Sequence, residues 1–185
     1  GAYCNYELPQ TDMVNMFSVK ELRNNSVDDI LLERFKKYCG KTYSQICDML
    51  NIEPSSSKSK YFMISNKIAG KGSVSNVNKS EEFEKSGLTM KTVRVKSNGS
   101  IKESMSFENI DYQEVADCGE WTDSRLYELF TNRFLFVIFR ETGNALQLPD
   151  GKTEPEYKLE KVAFWTMPQE DLQVAQQYWH NIRQN

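Results

Sequence analysis

The chain has 185 residues and a mass of 21.5 kDa, the size of one ordinary domain with or without a short arm. Hydrophobic residues make up 39% of it and charged residues 26%, a composition that excludes a largely disordered chain. The longest apolar run, Phe134–Phe139, is far shorter than the roughly 20 residues of a membrane-spanning helix, so we expect no membrane partner.

The first part of the chain combines an irregular segment with helical patterns. Residues 1–25 are polar and irregular, and we predict a linker or arm there, followed by one domain over residues 26–185. Ser26 is a typical N-cap, and apolar residues recur behind it at helical spacing as far as Gly40, which predicts the first helix. Similar signals predict helices over residues 42–53 and Lys60–Ala69.

The second part changes to the period of strands. Leu88–Val95 and Ile101–Phe107 flank an Asn-Gly pair, which predicts a β-hairpin. The apolar run Arg133–Arg140 predicts a buried strand. The remaining predictions are a helix over Arg125–Phe130, a loop over Gly143–Pro155, a strand over Tyr157–Trp165 and a last helix from Pro168 through Trp179. This order of elements predicts an α/β domain with one central sheet.

The cysteines and the single histidine exclude the common zinc and nucleophile motifs. Cys4, Cys39, Cys47 and Cys118 form no C-x-x-C pair, and His180 has no second histidine to act with. The chain does not begin with a basic region followed by an apolar stretch, so no secretory signal is visible. We therefore expect reduced cysteines and a cytoplasmic location.

Positive charge is concentrated in the middle of an otherwise acidic chain. Between Lys58 and Lys102 there are ten Lys/Arg and three Asp/Glu residues, a net charge of +7, and the remainder carries −10. Such a region is suited to bind phosphate groups. The solvated surface of a lysine-rich protein has the same composition, so charge alone leaves both interpretations open.

The segment Glu81–Val93 resembles the metal-dependent nuclease core of the MutH family, which includes the mismatch-repair nicking enzyme and restriction endonucleases that cut at GATC. The family pattern is an Asp, a Phe, a few residues, Gly-Val, and then Glu-x-Lys-Thr on a strand. The residues that match it are Phe83, Gly87, Leu88, Lys91, Thr92 and Val93. The resemblance runs from about Ser26 to the C-terminus and implies a MutH-like restriction-endonuclease fold, with a central mixed sheet flanked by helices.

The chain is most similar to the second, C-terminal copy of this fold in two-domain, GATC-cutting type II restriction endonucleases. In those proteins the N-terminal copy cuts, and the C-terminal copy has lost its catalytic set and serves as a second DNA-binding, effector domain. The resemblance therefore implies two partners, which are double-stranded DNA and a catalytic MutH-like domain in the same parent chain.

The substitutions at the family's catalytic positions agree with that assignment. Such a nuclease needs two carboxylates to hold Mg²⁺ and a lysine to orient the attacking water. The resemblance maps these positions onto Glu82 for the Asp, Thr89 for the Glu, Lys91 for the retained lysine and Asn66 for a helix carboxylate. We predict that this domain has no active catalytic residues and needs no cofactor, with Glu82 a weak candidate metal ligand. Mg²⁺ is expected for the parent enzyme.

Basic residues on or beside the predicted hairpin are the candidate DNA contacts. These are Lys91, Arg94, Lys96 and Lys102, which would position a duplex through its phosphates without reading bases. The resemblance adds Lys158 and Lys161, because MutH relatives have a loop near this place that enters the major groove.

Three functions stay open at this point. The favoured one is an effector domain that binds GATC duplex DNA and carries a degenerate nuclease site. The first alternative is an active Mg²⁺-dependent endonuclease that cuts at GATC, using Glu82, Lys91 and a relocated carboxylate from Glu81, Glu84 or Glu108. The second alternative is a structural or dimerisation module with no DNA contact.

Overall fold

A three-stranded mixed sheet forms the centre of the protein. The computed structural model describes residues 16–72, 75–105, 109 and 111–184. Strand β1 spans Leu88–Val95, β2 spans Arg133–Gln147 and β3 spans Thr153–Trp165. The order is β1-β2-β3, with β1 parallel to β2 and β2 antiparallel to β3. The predicted α/β class and mixed sheet are confirmed.

Eight α-helices surround this sheet in the described ranges. They are α1 Val19–Asn24, α2 Val27–Lys36, α3 Tyr43–Leu50, α4 Lys60–Ala69, α5 Glu81–Lys85, α6 Tyr112–Asp117, α7 Arg125–Thr131 and α8 Gln169–Gln184. Ser26, Thr42 and Ser124 each cap the helix that follows, because each hydroxyl accepts a first-turn N–H. Within the described ranges, none of the helices combines the length and the hydrophobicity that a membrane span requires.

The predicted hairpin forms only at its turn. Val95 and Ile101 make one antiparallel bridge, and Lys102 N–H donates to Arg94 C=O at 2.8 Å. No second hairpin strand follows within residues 101–105, and residues 106–107 lie outside the described ranges. β1 pairs along its whole length with β2. On its other edge, where a hairpin partner would lie, the Asn78 side chain takes both backbone groups of Met90.

The loop predicted over Gly143–Pro155 is wrong. β2 continues to Gln147 and β3 begins at Thr153, so the connection covers only residues 148–152. Gly143 lies in the left-handed region at φ 85°, inside a register shift of the ladder. A glycine of this kind can belong to a β-bulge, which bends a strand without ending it.

The main hydrophobic core lies between one face of the sheet and helices α2–α4. Met90, Leu135 and Phe139 from the strands are fully buried there together with Leu31 and Ile64 from the helices. A second cluster joins α6, α7 and α8; its buried members are Val115, Trp121, Leu126 and Trp179. The two clusters leave the opposite face of the sheet, called the outer face below, less covered.

The segment before α2 contributes to the main core. Met16 and Phe17 are only 3% and 2% exposed, and α1 follows them with a Ser18 capping box. Residues 1–15 of the predicted arm lie outside the described ranges. The boundary between residues 25 and 26 stays a prediction, but residues 16 and 17 pack as core residues do.

The edge of β1 is held by a side chain. Asn78 Oδ1 accepts from Met90 N–H at 2.7 Å, and Asn78 Nδ2 donates to Met90 C=O at 3.0 Å. The amide therefore completes both backbone bonds of Met90 in place of a fourth strand. This contact fixes β1 beside the loop that follows α4.

Replacing Asn78 with alanine should destabilise the fold by about 1–3 kcal/mol, because both backbone groups of Met90 lose their partner. Denaturant unfolding measures this free energy. Asn144→Ala, at an exposed position of β2, is the matched control and should leave it unchanged. Equal stability of Asn78→Ala and the control would contradict the assigned role of Asn78.

Candidate functional site

Thr89 and Lys91 lie side by side on the outer face of β1. Their neighbours Leu88 and Met90 point into the main core, and successive side chains of a strand alternate between faces. The register places Thr89 beside Phe134 and Lys91 beside Phe136 of β2. Thr89 and Lys91 therefore share one face of the strand, as their spacing of two residues predicts.

Glu82 lies in the first turn of α5, and a backbone group engages its carboxylate. Glu82 Oε1 accepts a hydrogen bond from Met16 N–H at 2.7 Å. Met16 is almost fully buried, so this N–H has little access to water. The Glu82 carboxylate thus ties the segment before α1 to α5.

Asn66 on α4 makes contacts that a carboxylate could not make in full. Its Oδ1 accepts from Val77 N–H at 2.6 Å, and its Nδ2 donates to Ser75 C=O at 2.9 Å. The second bond needs a donor, which an ionised Asp or Glu lacks. Asn66 is 6% exposed, so the amide at this position fastens the loop after α4 to the helix.

The donor groups at these positions do not suit Mg²⁺. Hard cations of this kind bind through anionic oxygens and water, and Glu82 supplies the only carboxylate among the four family positions. Of the candidates for a relocated carboxylate, Glu81 pairs with Lys85, Glu84 is exposed, and Glu108 lies outside the described ranges. Among the residues that the structure describes, no group of three or more His, Cys, Asp or Glu side chains could hold a metal ion.

Arg34 completes the attachment of Met16 and Phe17. Its Nη2 donates to Met16 C=O at 2.8 Å, and its guanidinium lies 4.7 Å from the centre of the Phe17 ring. Glu21 binds Arg34 at 3.1 Å and Lys71 at 2.7 Å. Hydrogen bonds from Lys71 and from the Ser18 backbone hold the pKa of Glu21 well below its ordinary value. We call the bonds of Glu82 and Arg34 to residues 16 and 17 the Met16 clamp.

The structure places three of the predicted lysines on the outer face. Lys91 lies on β1, and the register puts Lys161 opposite Ile138 and Lys158 opposite Arg140. Lys158 and Lys161 are three residues apart but share a face, because the ladder shifts register between Ile138 and Phe139. Both are exposed, so their charges face solvent.

Arg94 and Lys102 lie on the other side of β1. The Arg94 side chain is 11% exposed, pairs with Glu103 and lies 5.2 Å from the Tyr61 ring centre. Lys102 Nζ lies 5.4 Å from the ring centre of Tyr157. Because the Arg94 guanidinium is already paired with Glu103 and packed on Tyr61, it is poorly placed to bind a phosphate. Lys96 is exposed in the turn beyond β1.

Sequence reasoning missed the residues that hold this site in place. Met16 binds Glu82 through its backbone N–H, and every residue except proline has such a group, so the sequence gives no sign of this contact. Arg140 binds Glu160 at 2.9 Å on the outer face, and only the register shift brings the two together. The apolar pair Met16-Phe17 inside a polar segment is the one signal that could have indicated the clamp.

The chain is similar to a protein family and to a known restriction enzyme. The family model described as "DNA mismatch repair enzyme MutH" matches residues 72–177, more than half of the chain. The type II restriction enzyme Sau3AI of Staphylococcus aureus is 29% identical over 162 residues, which cover 82% of this chain. The matched region is 31% of the length of that enzyme, so the chain corresponds to about a third of its relative.

Glu82→Ala should lower the free energy of unfolding by about 1–3 kcal/mol, because the Met16 N–H loses its acceptor in a buried place. Glu82→Gln keeps an acceptor oxygen and should lose less. Thermal or denaturant unfolding measures both, with exposed Glu84→Ala as the control. If Glu82→Ala were as stable as Glu84→Ala, the clamp would have no energetic role.

Acid should loosen the attachment of the first helix. The pKa of Glu21 is lower in the folded state than in the unfolded state, where it is about 4.3. Its contribution to stability is therefore present above that value and is lost as the pH falls towards the folded pKa. Below about pH 4 the wild type should lose stability more steeply than Glu21→Gln, as measured by denaturant unfolding across pH; parallel curves would contradict this.

Proposed function

Because the chain belongs to the MutH-like restriction endonuclease family, we propose that it binds duplex DNA as a non-catalytic effector domain of a longer endonuclease. The expected target is a GATC duplex. The cutting would be performed by a second MutH-like domain of the parent chain, which would use Mg²⁺. The domain described here would need no cofactor of its own.

The observation that carries the proposal is the use of the family's acidic positions for structure. Glu82 binds the Met16 N–H, and Asn66 fastens the loop before α5 through an acceptor and a donor. Thr89 has no charge to attract a cation. Mg²⁺ gives up its water reluctantly, and one engaged carboxylate is a poor replacement for the usual set.

The outer face supports the DNA-binding part of the proposal. Lys91, Lys158 and Lys161 bring positive charge to the face that carries the family's catalytic strand positions. Phosphate contacts by such lysines would hold a duplex in register and would not distinguish sequences. GATC preference would therefore need further contacts to base edges.

An effector role requires that the two domains of the parent chain influence each other. DNA bound at this domain would shift the cutting domain towards its active arrangement only if the affinities of the two sites are coupled. The coupling is reciprocal, so DNA at the cutting site should strengthen binding here by the same factor. This relation separates an effector from a domain that only increases the local DNA concentration.

One observation favours the active-endonuclease alternative: Lys91 is present and lies on the outer face beside Phe136. This alternative needs an added carboxylate to complete a cation site. Incubation of the chain with GATC duplex and Mg²⁺ separates the two functions, because the effector proposal expects intact DNA. Strand scission that disappears in Lys91→Ala would establish the alternative.

Removing the exposed lysines of β3 should weaken DNA binding and its salt dependence together. In Lys158→Ala/Lys161→Ala, the slope of log K against log [salt] should fall by about 0.9 for each lost phosphate contact. Fluorescence anisotropy with labelled GATC duplex and a scrambled duplex measures this. Lys36→Ala, which removes an exposed lysine of α2 that pairs with Glu33, is the control.

Two results would count against the proposal. An affinity that does not change between low and high salt would exclude a phosphate-contacting surface. No binding of either duplex at low salt would favour the structural or dimerisation module. If Lys36→Ala lost half as much binding free energy as the double variant, which removes twice the charge, only net charge would matter.

A further inference from the structure

An aromatic group lies next to the lysines on the outer face. The Phe134 and Phe136 rings stack at 5.7 Å between centres, and Trp165 lies 5.9 Å from each. Phe134 is buried, but Trp165 at the end of β3 is 37% exposed. The two phenylalanines therefore support a tryptophan whose other side faces solvent.

The charges around Trp165 favour a polyanionic partner. Lys161 lies four residues earlier on the same strand, and Lys158 shares the face after the register shift. The nearest acid on this part of β3, Glu160, is bound by Arg140, which also holds the pKa of Glu160 below its ordinary value. The stripe of β3 from Lys158 to Trp165 is about 23 Å long, from the rise per residue of a strand. It carries two lysines and ends at the exposed tryptophan.

A small residue shapes the middle of this stripe. Ala163 is the outer-face residue between Lys161 and Trp165, and it pairs with Phe136 of β2. A small side chain beside a large exposed ring leaves the indole face accessible. Nucleic acid has the matching chemistry, because charged phosphates alternate with apolar sugar carbons along each strand.

We propose that Trp165 is a DNA-contacting residue that packs against the deoxyribose or base-edge carbons of a duplex whose phosphates bind Lys158 and Lys161. The inference rests on the proposed function and adds a contact that the lysines alone do not provide. Apolar packing releases no counterions, so it adds affinity that salt does not weaken. The lysines supply the salt-dependent part.

Intrinsic fluorescence offers a direct test, because the other two tryptophans are buried in the second cluster. Trp121 is 6% exposed and Trp179 is 1% exposed. Adding a short GATC duplex to the wild-type chain should change the emission through Trp165. The change should disappear in Trp165→Phe, which keeps an aromatic ring on Phe134 and Phe136.

Affinity separates the aromatic from the basic contribution. Trp165→Ala should bind the duplex about tenfold more weakly, with an unchanged salt slope. Lys161→Ala should instead reduce the slope by about 0.9. Tyr178→Ala, which removes a 66% exposed aromatic residue of α8, is the matched control and should bind as the wild type does.

The outcomes distinguish the inference from the function on which it rests. If the duplex binds but neither the emission nor the affinity depends on Trp165, the inference is overturned and the proposed function stands. If no duplex binds the wild type, both fail. If Trp165→Ala does not fold, the emission change and its loss in Trp165→Phe decide the question.

Discussion

The hydrogen bond from Met16 N–H to the Glu82 carboxylate is the contact on which this account depends. The resemblance to the family assigns Glu82 to the position of an acid that holds Mg²⁺. In this chain the acid accepts a buried backbone donor, and Arg34 holds the carbonyl group of the same residue. A cation that took Oε1 from this bond would leave the backbone N–H of Met16, an almost fully buried residue, without its acceptor. Metal binding through Oε1 would therefore lower the stability of the fold.

Asn66 and Thr89, the other two positions that the resemblance assigns to acids, carry no negative charge. Asn66 donates where a carboxylate could only accept, and the bonds it makes hold the loop that leads to Asn78 and β1. Thr89 removes a second charge beside the retained Lys91. Thr89 and Lys91 share the outer face of β1, while backbone contacts hold Glu82 and Asn66. Lys158 and Lys161 of β3 add positive charge to that face.

The local elements were predictable where caps and apolar spacing agree. The helix over Lys60–Ala69 has the predicted bounds, because helical spacing and Gly70 mark its end. The long ribbon of β2 and β3 was not predictable, since Gly143 and Pro155 are typical of loops and only cross-strand pairing shows a bulge. The assignment of Glu82, Thr89, Lys91 and Asn66 to the family's catalytic positions stays a prediction from the sequence. The Met16 clamp could not, because it joins residues 66 positions apart through a backbone donor.

Calorimetric titration of the chain with Mg²⁺ shows whether the Glu82 carboxylate stays bound to Met16 in the presence of the ion. We expect no saturable heat at millimolar Mg²⁺ for the wild type and the same result for Glu82→Gln. Saturable binding that Glu82→Gln abolishes would mean that the carboxylate leaves Met16 for the ion, and would contradict the account.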